Sequence, residues 1–74
     1  MNPRFRDLRE DRDLNQEEIA ALLHVSQATY SRYESGILDI SAASLEILAN
    51  FYKTSVDYLL GLTDMKEPYP RKKN

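Results

Sequence analysis

Apolar side chains recur along the chain at helical spacing, and each recurrence follows a residue suited to start a helix. Phe5 and Leu8 stand three apart among charged residues, which predicts a first helix with one apolar stripe, ending near Asp13. Leu14-Asn15-Gln16-Glu17-Glu18-Ile19 reads as a start signal, with Asn15 as N-cap, Glu18 closing a capping box and Leu14 stapled to Ile19. The second helix is predicted to run to about Leu23. Only His24 and Val25 follow before Ser26 caps a third helix, with Val25 stapled to Tyr30 and the helix running to about Ser35. Gly36 then stands where a left-handed C-cap is needed. Ser41 caps a fourth helix, with Ile40 and Leu45 as its staple and Leu45, Leu48 and Tyr52 on one face. A fifth starts at Thr54 or Ser55 and ends at Gly61. Nothing reads as a strand, so the expected fold is all-α: a compact five-helix domain over residues 1–63. A frayed tail is expected over 64–74, which has two prolines and little to bury.

The short connection between helices 2 and 3 leaves no room for antiparallel packing, so the two must cross at a large angle. That is the helix-turn-helix arrangement, whose second helix is offered to the major groove of DNA. Advancing about 100° per residue from Gln27 places Gln27, Ala28, Ser31 and Arg32 within an arc of roughly 140°. Each suits a base edge: Gln pairs with adenine, Arg with guanine, Ala meets a thymine methyl, and Ser donates or accepts. Thr29, Tyr30, Tyr33 and Glu34 take the other side, where the tyrosines have the size to anchor the helix to the core.

Composition narrows the possibilities further. The chain has 74 residues, no cysteine and one histidine, enough for one modest core but not for a deep substrate cleft. A thiolate zinc site, a cysteine nucleophile and an all-histidine metal cage are excluded, and no cofactor, metal or small-molecule ligand is expected. The longest apolar run, Ile19 to Leu23, is far short of a membrane span, and Met-Asn-Pro-Arg-Phe is no secretory signal. A soluble cytoplasmic protein is expected. The pI of about 5.3 is unusual for a nucleic-acid binder, and the acidity belongs to the domain. Residues 1–63 hold six basic and ten acidic groups, a net charge of −4, whereas the tail is net +2.

Neighbouring Glu17 and Glu18 sit on a first helical turn, where they complement the helix dipole rather than form a catalytic pair. Arg4, Arg6, Arg9 and Arg12 alternate with acids in the pattern of a solvated, salt-bridged helix, the alternative being that one of them touches a phosphate. The terminal Arg71-Lys72-Lys73 reads as a solubilising end, with a flexible phosphate contact as the alternative. No nucleophile, base and orienting group can be assembled, so an enzyme is not expected.

Three stretches together, Leu14 to Ala20, Val25 to Gly36 and Ser55 to Gly61, resemble the Cro and phage-repressor helix-turn-helix family, often called the Xre family, of bacterial and phage transcription regulators. The resemblance covers about residues 4–62. It implies that Gln16, with backbone amides at the start of helix 2, clamps a phosphate, and that Gln27, Ala28, Ser31 and Arg32 face bases. It implies an inward-packed Tyr33 whose hydroxyl reaches a phosphate, and an ion pair between Arg9 and Glu34 joining helix 1 to the recognition helix. It implies dimers meeting through the last helix, with Tyr58, Leu62 and Met65 at the contact. The family usually has glycine where this chain has His24, so a left-handed His24 is implied, a conformation histidine tolerates better than most.

The function expected from all this is sequence-specific binding of a double-stranded DNA operator as a homodimer, regulating transcription, most often by repression. The base-facing arc has one cation, Arg32, so binding is expected to depend on pairing two copies. The alternative is a protein-interaction module, a helix-turn-helix that binds another regulator or a toxin. The acidic domain favours that alternative, whereas Gln27 and Arg32 sharing one arc favour DNA.

Overall fold

A computed structural model describes residues 4–68. Its helices are α1 (Phe5–Asp11), α2 (Gln16–Leu23), α3 (Gln27–Ser35), α4 (Ala42–Tyr52) and α5 (Val56–Leu59), with no strand among the described residues. Four of the five begin on the caps read from sequence. The side chains of Asn15, Ser26, Ser41 and Ser55 each accept a hydrogen bond from the backbone amide three residues on, satisfying a donor that the helix cannot. For α5 the choice between Thr54 and Ser55 falls to Ser55, while the Thr54 hydroxyl donates to the carbonyl of Lys66.

The helix ends are more uniform than their residues suggest. Asp13, His24 and Lys53 all have positive φ, at 55°, 58° and 56°. Behind each, two backbone amides close the last turn in the same way: Asp13 and Leu14 donate to Glu10 and Arg9, His24 and Val25 to Ala21 and Ala20, and Lys53 and Thr54 to Asn50 and Ala49. These are Schellman closures, in which one left-handed residue satisfies the terminal carbonyls. The first of them explains why α1 stops at Asp11, two residues before the expected Asp13: the chain has already turned left-handed there. Gly36 and Gly61 end α3 and α5 with φ of 81° and 77°.

Every helix contributes to one core. Phe5 and Leu8 enter from α1, Ile19, Ala20 and Leu23 from α2, Tyr30 from α3, Leu45, Leu48, Ala49 and Tyr52 from α4, and Leu59 from α5. The staple residues Leu14, Val25 and Ile40 are half-buried against it. Burying side chains of this size stabilises the fold by roughly 1.5–3 kcal/mol each.

The arginines of α1 do more than solvate a helix. Arg4 donates from its amide to Leu59 at 2.8 Å and from its guanidinium to the carbonyl of Thr63 at 2.7 Å, lies 4.3 Å from the centre of the Tyr58 ring, and pairs with Asp64. Arg12 reaches the carbonyls of Phe51 and Tyr52 at the end of α4 and stacks against both rings. Only Arg6, paired with Glu10 one turn on at 3.5 Å, behaves as the charge pattern suggested. Asp64 and Lys66, within the stretch expected to fray, are thus bonded back to the domain. Residues 69–74, with the basic Arg71-Lys72-Lys73, lie outside the described residues.

Candidate nucleic-acid interface

Helix α3 is held from behind. Tyr30 is completely buried, its ring edge-on to the half-buried Tyr33 with centroids 6.3 Å apart. With that side fixed, Gln27, Ala28 and Arg32 are left exposed and Ser31 half-buried on the opposite side. Arg4, Arg6, Arg9 and Arg12 all have acceptors for their guanidinium groups; among the described residues, the Arg32 guanidinium has none. Its charge therefore has no counter-ion among the described residues.

His24 is the left-handed residue between α2 and α3. With φ 58° and ψ 40° it occupies the left-handed region, which closes α2 and turns the chain before Ser26 caps α3. The conformation is the one implied by the usual glycine at this position of the family.

Behind the exposed face lies a buried charge cluster. Arg9 donates from Nε to Glu34 Oε2 at 2.7 Å and from Nη2 to Oε1 at 3.1 Å, while its Nη1 donates to the carbonyl of Leu14 at 2.8 Å. The two side chains are only 12% and 5% exposed. Gln16 Nε2 also donates to Glu34 Oε1, at 3.1 Å. Burial alone pushes the Glu34 carboxyl up, but hydrogen bonds from Arg9 and Gln16 outweigh it and hold the group below its ordinary value. The same Glu34 bond, set against burial, raises the Arg9 guanidinium further. The Tyr30 phenol is raised by burial and then by Glu34, although its hydroxyl makes no hydrogen bond of normal geometry among the described residues. Tyr52 beside it is pushed up to about 12, mainly by burial.

The residues singled out from sequence thus fall into two groups. Gln16, Arg9 and Glu34 come together at the junction of α1, α2 and α3, and Gln27, Ala28, Ser31 and Arg32 share the outer side of α3. Tyr33 turns inward, lining a recess with Phe5, Leu38 and Leu60. Tyr58 is half-buried under Arg4, and Leu62 and Met65 are exposed near it in sequence. The bond from Gln16 to Glu34 was not anticipated, and neither was the exposure of Ile37 (79%) and Leu38 in the loop after α3. Among the described residues no group of three acidic or histidine side chains could hold a metal ion, and no helix is long and apolar enough to cross a membrane.

An α2 docked on the core through Ile19, Ala20 and Leu23, a left-handed turn and an α3 with one face exposed define a helix-turn-helix domain. The chain matches the model of the helix-turn-helix family over residues 5–59 and belongs to that family, in its Cro and phage-repressor branch. It is 38% identical over 71 residues to the uncharacterized HTH-type transcriptional regulator YobD of Bacillus subtilis, covering 96% of this chain and 63% of that protein. It is 42% identical over 57 residues to the cryptic phage CTXphi transcriptional repressor RstR of Vibrio cholerae, covering 77% of this chain and 51% of the repressor. With the HTH-type transcriptional regulator AnsR of Bacillus subtilis it shares 34% identity over 68 residues, 92% of this chain and 59% of the relative. The chain therefore spans about half to two thirds of the length of these curated relatives. Their names are those of transcription regulators and not of enzymes, in line with the sequence reading. No solved structure matches significantly.

Proposed function

We propose that the protein is a transcription regulator that binds a DNA operator sequence-specifically as a homodimer, most simply as a repressor acting in the cytoplasm. The observation that carries this reading is the outer side of α3: Gln27, Ala28 and Arg32 are exposed on a helix locked from behind by Tyr30, and Arg32 has no acceptor for its guanidinium within the described domain. In this reading Gln27 and Arg32 hydrogen-bond to base edges, Ala28 and Ser31 fit against them, and Gln16 and Tyr33 meet phosphates. Tyr58, Leu62 and Met65 contribute to the contact between copies. The relatives named as regulators and as a repressor support it. With a domain this acidic, two copies on half-sites about 10 base pairs apart supply the affinity one copy lacks.

Selection of bound duplexes from a random DNA library tests the proposal. The expected result is enrichment of a palindromic site, with the protein sedimenting as a dimer on it. A second reading, as a module that binds another protein, is favoured by the net acidity and by Ile37 and Leu38, which place apolar surface beside α3. Absence of any enriched site would transfer the weight to that reading.

A further inference from the structure

Beside the outer face of α3 a polar recess of about 250 Å3 opens between α1, the first turn of α2 and α3, lined by Arg6, Arg9, Gln16, Ser31, Glu34 and Ser35. Ser31 belongs to the proposed base-facing arc and Gln16 is the proposed phosphate contact, so the recess continues that face toward α1. Its floor is the closed Arg9–Glu34 pair, which carries no net charge. What the recess offers a ligand follows from its hydrogen bonds. Gln16 Nε2 gives one N–H to Glu34 and keeps a second. Glu34 thereby fixes which way the amide faces, because turned over it would set its oxygen against the carboxylate. The Ser35 hydroxyl is used on the carbonyl of Arg32. Arg6 stands at the rim with 68% of its side chain exposed, held by one 3.5 Å contact to Glu10. Such a contact in water is too weak to keep Arg6 from a better acceptor. The recess therefore presents an exposed positive charge and an oriented amide beside an acid that already accepts three hydrogen bonds.

We propose that this recess seats one phosphodiester of the DNA backbone, with Arg6 as its charged contact and Gln16, oriented by Glu34, as its neutral one. The inference rests on the DNA-binding reading and adds to it a residue, Arg6, outside the helix-turn-helix. It also assigns Glu34 a positioning role toward Gln16. The acceptor chemistry is that of a singly charged phosphate oxygen, which takes two convergent donors and carries no base information.

The test measures binding of the 74-residue chain to a selected duplex and to an unrelated duplex across a salt series. Arg6→Gln is expected to lower the slope of log K against log salt by about 0.9 per bound copy on both duplexes while enriching the parent's site. Arg6→Lys should keep the slope. Glu10→Gln, which frees Arg6, should bind at least as tightly as the parent. Because Arg6 is exposed, helical circular dichroism of all three variants should match the parent. An Arg6→Gln protein with the parent's slope, or with a changed site preference, overturns the phosphate seat, and if Arg32→Ala still alters the enriched site, the reading of α3 survives. A parent that binds neither duplex overturns both.

Discussion

Arg9 and Glu34, 25 residues apart in sequence, meet through two hydrogen bonds of 2.7 and 3.1 Å and tie α1 to the helix that presents Gln27 and Arg32. Since both side chains are largely out of water, removing one leaves the other charged and without a counter-ion. Arg9→Ala is expected to cost about 3 kcal/mol in denaturant unfolding, and a double-mutant cycle with Glu34→Ala to show strong coupling. Coupling near zero would remove the pair from the account of stability.

The same pair makes the domain sensitive to acid. Glu34 is held below its ordinary value of 4.5 in the fold, so at low pH the unfolded chain binds the proton first. The stabilisation is complete above that ordinary value and is lost as pH falls through the lower, folded one. Thermal melts between neutral and acid pH should show the parent losing more stability than the Arg9→Ala, Glu34→Ala double variant. Parallel losses would mean that Glu34 does not titrate differently in the two states.

His24 carries positive φ without being glycine. His24→Gly relieves the steric cost of the left-handed region but adds freedom to the unfolded chain, and the two effects oppose each other. Thermal unfolding is expected to show stability unchanged or raised by under about 1 kcal/mol, with DNA binding kept. A marked loss would show that the imidazole makes contacts worth more than the strain.

On the outer side of α3, Gln27→Ala and Arg32→Ala should each cost about 1–3 kcal/mol per half-site and relax preference at one base position. Repeating the library selection with each variant measures this. Enrichment of an unchanged site by both would rule out base reading by these side chains.

Gln16→Ala is expected to weaken binding to all duplexes alike with little change in salt slope, because the lost donor is uncharged. It also deprives Glu34 of one hydrogen bond, so a stability loss of about 1 kcal/mol should accompany it. A sequence-dependent effect would place Gln16 against a base instead.

Much of this architecture is legible in the sequence because its signals are local. Asn15, Ser26, Ser41 and Ser55 cap helices by bonding to an amide three residues away, and that spacing is visible in sequence. What escaped has distant partners or an ambiguous residue. Arg4 and Arg12 looked like solvated charges because their acceptors lie 59 and 39 residues away, at Thr63 and Phe51. Asp13 and Lys53 end helices in a conformation that glycine would have advertised and that they do not. The Gln16–Glu34 bond required knowing how α2 and α3 cross, which periodicity along either helix does not contain. The Arg9–Glu34 pairing came from the family resemblance, not from spacing.

Arg4 joins the opening residues of the fold to Leu59, Tyr58 and Thr63 at a single seam. Between Arg4 and Thr63 the described domain closes on itself, stitched by one side chain and one amide. A permuted domain, linked covalently across that seam and reopened between Ile37 and Leu38, is expected to retain all five helices, because the new break falls in the loop between α3 and α4. Shortening the chain past Arg4 is expected to remove the stitch and loosen the start of α1, while α5 keeps its cap at Ser55 and its anchor Leu59 in the core.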